Sequence, residues 1–337
     1  MSTTNTVSNM KFDAIVFDLD RTLFDNEHTG RQAMSAVTKE FPVLLQQHNL
    51  DHLIMMELHV YRGHQKSKTG FIMGHEFTGT VTAIGKTVKS NGGTCRCSEG
   101  LLFGSALLDG GQAEFVRIPL ADGTIVKAPP SIPEQALVVM ADIFPTGYFG
   151  VKSAVELLPS RNLQDSVVVV IGCGPVGLCA ITVAAHYKPK HLFAVDSVDS
   201  RLDQARRLGA EPLNFLSDKA GMQARVREVS DGRGADVAIE VVGLSPALRT
   251  AFDLIRPLGV ISSIGIPWTG NEAYNKNVRL QMGRCPVRSI FPEALALLEE
   301  KHHLLGFMFE NILPLSEAVK GYELFDNAEV QKVIFKP

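Results

Sequence analysis

The chain has 337 residues, a formal net charge of -3, and 45% hydrophobic against 20% charged residues. That length suits two or more domains, and the near-neutral balance argues against nucleic-acid or membrane-surface partners. No apolar run approaches a bilayer span, the polar opening Met1 to Met10 lacks the apolar core of a signal peptide, and five cysteines, few and odd in number, fit a reducing, cytoplasmic setting.

In chain order, Phe12 to Phe17 reads as a strand that runs into the acids Asp18, Asp20 and Asp25, with Thr22 among them. Alternate residues at a strand end point to one side, so Asp18 and Asp20 can converge on one metal ion. Arg31 to Phe41 reads as a helix. From Glu57 the pattern changes to short alternating runs between glycines (Phe77 to Ile84, Ala113 to Ile118, Thr124 to Lys127), as in a small β-barrel. From about Asp165 strands and helices alternate, which predicts a doubly wound parallel sheet. Val167 to Ile171 is a continuous apolar run, suited to a strand buried on both faces. It enters Gly172-Cys-Gly174-Pro175-Val176-Gly177, where the glycines permit a tight turn, a close backbone approach to a pyrophosphate and close helix packing. A second run, Leu192 to Val195, ends at Asp196, where a ribose-binding acid is expected; its carboxylate favours NAD over a 2′-phosphorylated dinucleotide. Arg201 could assist a phosphate, or simply belong to a solvated face of the helix Ser200 to Gly209, which carries Ser200 as its expected N-cap. Further strands are expected at Asp236 to Gly243 and Leu258 to Gly265. A final strand, amphipathic helix and strand are expected over Leu304 to Pro314, Leu315 to Phe325 and Val330 to Phe335.

Two resemblances sharpen these expectations. Asp18, Asp20 and Thr22 resemble the first motif of the haloacid-dehalogenase-like phosphohydrolases, which implies a Mg²⁺-assisted aspartyl nucleophile. The likeness stops near Leu50, and a single strand and helix cannot bury a core. Residues 1–56 are therefore expected to be an incomplete domain, with phosphohydrolysis the alternative reading. Glu57 to Lys336 resembles the zinc-dependent alcohol dehydrogenases of the medium-chain dehydrogenase/reductase family, on Gly74-His75-Glu76, Ala141-Asp142-Ile-Phe-Pro-Thr-Gly147-Tyr148 and the glycine-rich turn. It implies a truncated GroES-like barrel at 57–150, completed by 290–337, and a Rossmann domain at 151–289.

The same resemblance implies that His75, Glu76 and Asp142 surround a catalytic zinc, that His59 relays the alcohol's proton, and that Gly265 and Ile266 lie under the cofactor. It further implies an alcohol converted to an aldehyde or ketone by hydride transfer to NAD, in a homo-oligomer. Two departures stand out. Aligning His59 puts Ile54 where the family carries a zinc-ligand cysteine and Met56 where it carries a hydroxyl; Ile donates no electron pair and Met no proton. Only Cys95 and Cys97 remain of a four-cysteine lobe, too few to close a structural zinc site. Weak zinc binding and low turnover are expected, with a non-catalytic NAD-binding protein as a further reading. Tyr148, Phe149 and Trp268 could line a substrate pocket or belong to plain core.

Overall fold

The computed structural model describes residues 13–16, 43–52, 70–83, 103–119, 125–264 and 279–336. The chain divides into two compact units: Met1–Asp142 with Val287–Ser289 and Gly306–Pro337, and Ile143–Pro286 with Ile290–Leu305.

The first unit opens with strands β1 (Asp13–Val16), β2 (Val43–His52), β3 (Phe77–Ala83), β4 (Phe115–Ile118) and β5 (Ile125–Lys127), then a short helix α1 (Glu134–Leu137). The second unit runs α2 (Ile143–Leu157), β6 (Val167–Ile171), α3 (Pro175–His186), β7 (His191–Asp196), α4 (Asp199–Arg207), β8 (Glu211–Asn214), α5 (Lys219–Val229), β9 (Ala235–Glu240), α6 (Ser245–Leu254), β10 (Ile255–Ser263) and β11 (Arg279–Met282). Helix α7 (Val287–Lys301) follows, and β12 (Ile312–Pro314), α8 (Ala318–Asp326) and β13 (Val333–Lys336) return to the first unit.

In the first unit one sheet runs β12-β13-β2-β3-β1-β5, with β4 on β2. Only the β12–β13 pair is parallel. The strands expected near 77–84, 113–118 and 124–127 are present. The described residues of the expected N-terminal fragment form no sheet of their own. β1 is hydrogen-bonded antiparallel between β3 and β5, and β2 lies between β13 and β3. The helix expected over Arg31 to Phe41 lies outside the described residues. Tyr322, Phe325, Val333 and Phe335 form the core under α8. Gly321 lets that helix close on the sheet, since a Cβ there would come 2.5 Å from the Phe335 ring.

The second unit is a six-stranded parallel sheet, β11-β10-β9-β6-β7-β8, in the strand order of a doubly wound dinucleotide fold. β6 and β9 are buried along their whole length, as central strands of a two-sided parallel sheet are. Met222 and Val226 of α5 and Leu248, Ala251 and Phe252 of α6 pack on the face that presents Val167, Val169, Ile171 and Ala238. α2 and α3 approach closely because Gly147 has no side chain: a Cβ there would lie 2.7 Å from the Ala180 amide nitrogen.

Three expected elements differ. α4 starts at Asp199 with Val198 as its N-cap and no side-chain cap. Ser200 is already helical, because Asp196 takes the amides of Ser197 and Val198 just ahead of the helix. β10 starts at Ile255 rather than Leu258, with an irregular register where Leu258 adopts φ 62°. The strand expected from Leu304 is mostly a 3₁₀ segment, His302–Met308, and the amphipathic segment after it begins as 3₁₀ before α8. Among the described residues no helix is long and apolar enough to cross a membrane.

Candidate functional site

The first unit carries a group of potential metal ligands. His75 and Glu76 stand in the bend that enters β3, and Asp142 follows a 3₁₀ turn, Val138–Met140. The bend is fixed by its backbone: Gly110 N donates to Ile72 O (2.7 Å), Gln112 N to Met73 O (2.8 Å) and Gly111 N to Gly74 O (2.9 Å). Gly74 adopts φ 104°, the left-handed region that glycine tolerates without cost.

The arrangement brings His75, Glu76 and Asp142 together, with one ligand atom from each within 4.8 Å of the others. His75 Nε2 lies 3.4 Å from Asp142 Oδ2 and 3.7 Å from Glu76 Oε1. Two ligands bonded at about 2.0–2.1 Å to a tetrahedral ion stand roughly 3.3 Å apart, so the nearer pair has the spacing a zinc-sized cation needs. His75 and Glu76 are buried, and Asp142 is partly open.

Sequence reasoning missed Lys332, just before β13. Its Nζ donates to Glu76 Oε2 at 3.0 Å, and the two side chains are 1% and 0% exposed. A buried carboxylate is costly without a partner, and the ammonium holds one oxygen of Glu76 while the other faces His75. The available signal was a lysine next to the apolar run Val333-Ile-Phe335, where a charge has no place unless paired.

The second unit carries the glycine-rich turn. β6 ends at Gly172, which adopts φ 95°, and a Cβ there would come 2.5 Å from Val242 Cγ2. A Cβ on Gly177 would lie inside the carbonyl oxygen of Gly172 and 2.8 Å from its carbonyl carbon, so only glycine lets α3 start here. Gly174 is the N-cap of α3, with Pro175 at the first turn and no capping side chain. A Cβ on Gly174 would meet nothing within 4 Å. Bare first-turn amides beside open space form a cradle for a pyrophosphate.

Asp196, buried at the end of β7, accepts from Cys173 N (2.7 Å) on Oδ2 and from Ser197 N (2.7 Å) and Val198 N (2.9 Å) on Oδ1. It thereby ties the glycine-rich turn to the second strand. Arg201 Nε is buried with no hydrogen-bond partner among the described residues, a donor left over beside that acid. These features fit a dinucleotide. Burial, and then the nearby Asp196, push the Cys173 thiol well above its ordinary range, so it stays protonated within the cradle.

Tyr148 lies in the second unit's interior, where its hydroxyl donates to Glu293 (2.9 Å); Lys152 donates to both oxygens of the same carboxylate (2.7 Å each). His59, Gly265, Ile266 and Trp268 lie outside the described residues, as do Ile54, Met56, Cys95 and Cys97. So do Asp18, Asp20 and Thr22. The strand just before them is an antiparallel member of the sheet that includes β3, which gives a phosphohydrolase reading nothing to build on.

Comparison with known proteins gives four consistent likenesses. The family described as zinc-binding dehydrogenase matches residues 175–300. A zinc-type alcohol dehydrogenase B from Aspergillus flavus is 54% identical over 307 residues, covering 83% of this chain and 72% of the relative. A medium chain reductase/dehydrogenase from an Acremonium species is 48% identical over 246 residues, covering 65% of this chain and 84% of that protein. Among solved structures, the alcohol dehydrogenase TADH from Thermus sp. ATN1 superposes with a TM-score of 0.78 at 27% identity, covering 96% of this chain and 99% of that one.

Proposed function

The chain belongs to the zinc-type alcohol dehydrogenases of the medium-chain dehydrogenase/reductase family, and from that premise we propose that it oxidises a small alcohol to an aldehyde or ketone with NAD. The convergence of His75, Glu76 and Asp142, with one ligand atom of each within 4.8 Å of the others, carries the reading. Zinc held there would supply Lewis acidity to an alcohol oxygen, and bound NAD would serve as the hydride acceptor. His75 and Asp142 hold the ion. Lys332 keeps the Glu76 carboxylate from leaving its buried place, and the second oxygen of Glu76 remains beside His75. His59 takes the alcohol's proton towards solvent. Gly172, Gly174, Pro175, Val176 and Gly177 seat the pyrophosphate, Asp196 accepts the adenosine ribose hydroxyls, and Arg201 supplies the leftover donor beside it.

In this reading the second unit is the dinucleotide domain. The first is the catalytic domain, with the residues before 57 an addition to it. By family analogy the working form is a cytoplasmic homo-oligomer. With Ile54 in place of a ligand cysteine, the zinc is weakly held and turnover is low. Cys95 and Cys97 hold no structural zinc.

The test is metal analysis of the purified chain together with NAD reduction over a panel of primary and secondary alcohols, in the parent and in His75→Ala. Alcohol-dependent NAD reduction that is stimulated by added zinc and lost in His75→Ala is expected. NADH binding with no turnover for any alcohol, at any zinc concentration, would instead make this a non-catalytic dinucleotide-binding protein. A full equivalent of tightly held zinc would overturn the weak-binding expectation.

A further inference from the structure

The carboxyl end of the parallel sheet holds a buried acid that neither the metal group nor the glycine-rich cradle uses. Glu240 closes β9 and is fully buried, at 0% exposure. Its Oε1 accepts from the backbone amides of Val242 (2.8 Å) and Gly243 (2.7 Å), and its Oε2 from the Ser263 hydroxyl at the end of β10 (2.7 Å). All three donors are neutral, so they solvate the carboxylate and offset only part of its charge.

The turn fixed by these bonds forms one wall of the cradle. Val241 N donates to Ile171 O (3.1 Å), and Val242 Cγ2 occupies the place a Gly172 side chain would need. In the order β11-β10-β9-β6-β7-β8, the crevice opens between β6 and β9, where the strand order reverses. Asp196 on β7 marks the adenosine side. The nicotinamide half of a dinucleotide laid across the crevice therefore falls on the side of β9 and β10, where Glu240 sits.

We infer that the Glu240 carboxylate biases this site towards the oxidised dinucleotide, because its buried negative charge favours the cationic nicotinamide ring of NAD⁺ over the neutral ring of NADH. The inference rests on the dinucleotide reading above. Repulsion between Glu240 and the pyrophosphate is the same for both forms and cancels in their ratio. A charge in low-dielectric surroundings is also screened little by salt, unlike one on the surface.

The experiment measures both affinities in the parent, in Glu240→Gln and in Ser263→Ala. NADH is titrated by its fluorescence, NAD⁺ by displacement of NADH, and each variant is checked by thermal melting. Glu240→Gln keeps side-chain volume and an acceptor oxygen but removes the charge. It should weaken NAD⁺ about three- to tenfold relative to NADH, in low salt and in about 0.5 M salt alike. Ser263→Ala keeps the charge and removes one donor, so its ratio should move the other way, towards NAD⁺. Equal weakening of both forms in Glu240→Gln would overturn the inference and leave Glu240 as a residue that only positions the turn. So would a shift that vanishes in salt. Should Glu240→Gln fail to fold, the direction of the Ser263→Ala shift decides alone. A parent chain that binds neither form would bring down the dinucleotide reading itself.

Discussion

Lys332 is the residue whose removal tests the first unit most directly. Its ammonium lies 3.0 Å from Glu76 Oε2, and neither side chain is more than 1% exposed. At that separation, with an effective dielectric constant near 20, the attraction is about 5 kcal/mol, and it offsets the desolvation of both ions. Lys332→Met keeps most of the apolar stem and removes the charge, leaving a buried carboxylate without its cation. Breaking such a pair costs about 3–5 kcal/mol. His75 at 3.7 Å still faces the other oxygen of Glu76, which puts the expected cost at the lower end, about 3 kcal/mol. For a domain of this size that lowers the melting temperature by about 6–12 °C. Urea unfolding and calorimetry on the metal-free chain would measure it. The double variant Lys332→Met/Glu76→Gln removes both charges and should recover most of the loss, leaving about 1 kcal/mol. A single variant within about 1 kcal/mol of the parent, or a double variant no more stable than the single, would refute the pairing argument.

Other perturbations probe the second unit. Gly177→Ala forces a methyl group into the carbonyl of Gly172; it should destabilise the chain by about 1–3 kcal/mol and abolish NADH fluorescence enhancement at concentrations that saturate the parent. Asp196→Asn disrupts an acid that binds three backbone amides. It should lower NAD affinity roughly tenfold or more and narrow the gap between NAD and NADP in paired titrations. The Lys152 ammonium, and after it the Tyr148 hydroxyl, hold the Glu293 carboxyl below the usual carboxylate range. A depressed folded value means that this contribution is present above the ordinary glutamate value of about 4.3 and is lost as pH falls through the lower folded one. The difference in urea midpoint between the parent and Lys152→Met should therefore be constant near neutrality and shrink in acid; a difference that grows on acidification contradicts the assignment.

The parallel sheet was legible because its central strands are buried on both faces. Val167 to Ile171 and Val237 to Ile239 read as apolar blocks whatever their neighbours, and Gly172, Gly174 and Gly177 have spacing with a mechanical reason. The first unit was harder. Val43-Leu-Leu-Gln-Gln-His-Asn-Leu-Asp-His52 carries no clean alternation, and its pairing with β3, β4 and β13 is set by partners far away in sequence. Asp142 was reachable only through resemblance, since nothing local distinguishes it from any helix-starting acid. Ser200 misled as a cap because Asp196 had already taken the amides ahead of the helix. Lys332 and Glu240 share one reason for being missed. A charge inside an apolar run reads as noise until its partner appears, and the side-chain partners are 256 residues away for Lys332 and 23 for Glu240.

The Lys332–Glu76 pair also sets an order of events during synthesis. His75 and Glu76 emerge early, whereas the ammonium that steadies Glu76 is translated 256 residues later. At about 5–20 residues per second, that is a delay on the order of 10–50 s. Throughout it Glu76 lacks the ammonium that lies 3.0 Å from it in the folded chain. Burying the Glu76 carboxylate before its cation arrives would carry the full desolvation cost, so the sheet around His75 and Glu76 closes only when β13 joins it.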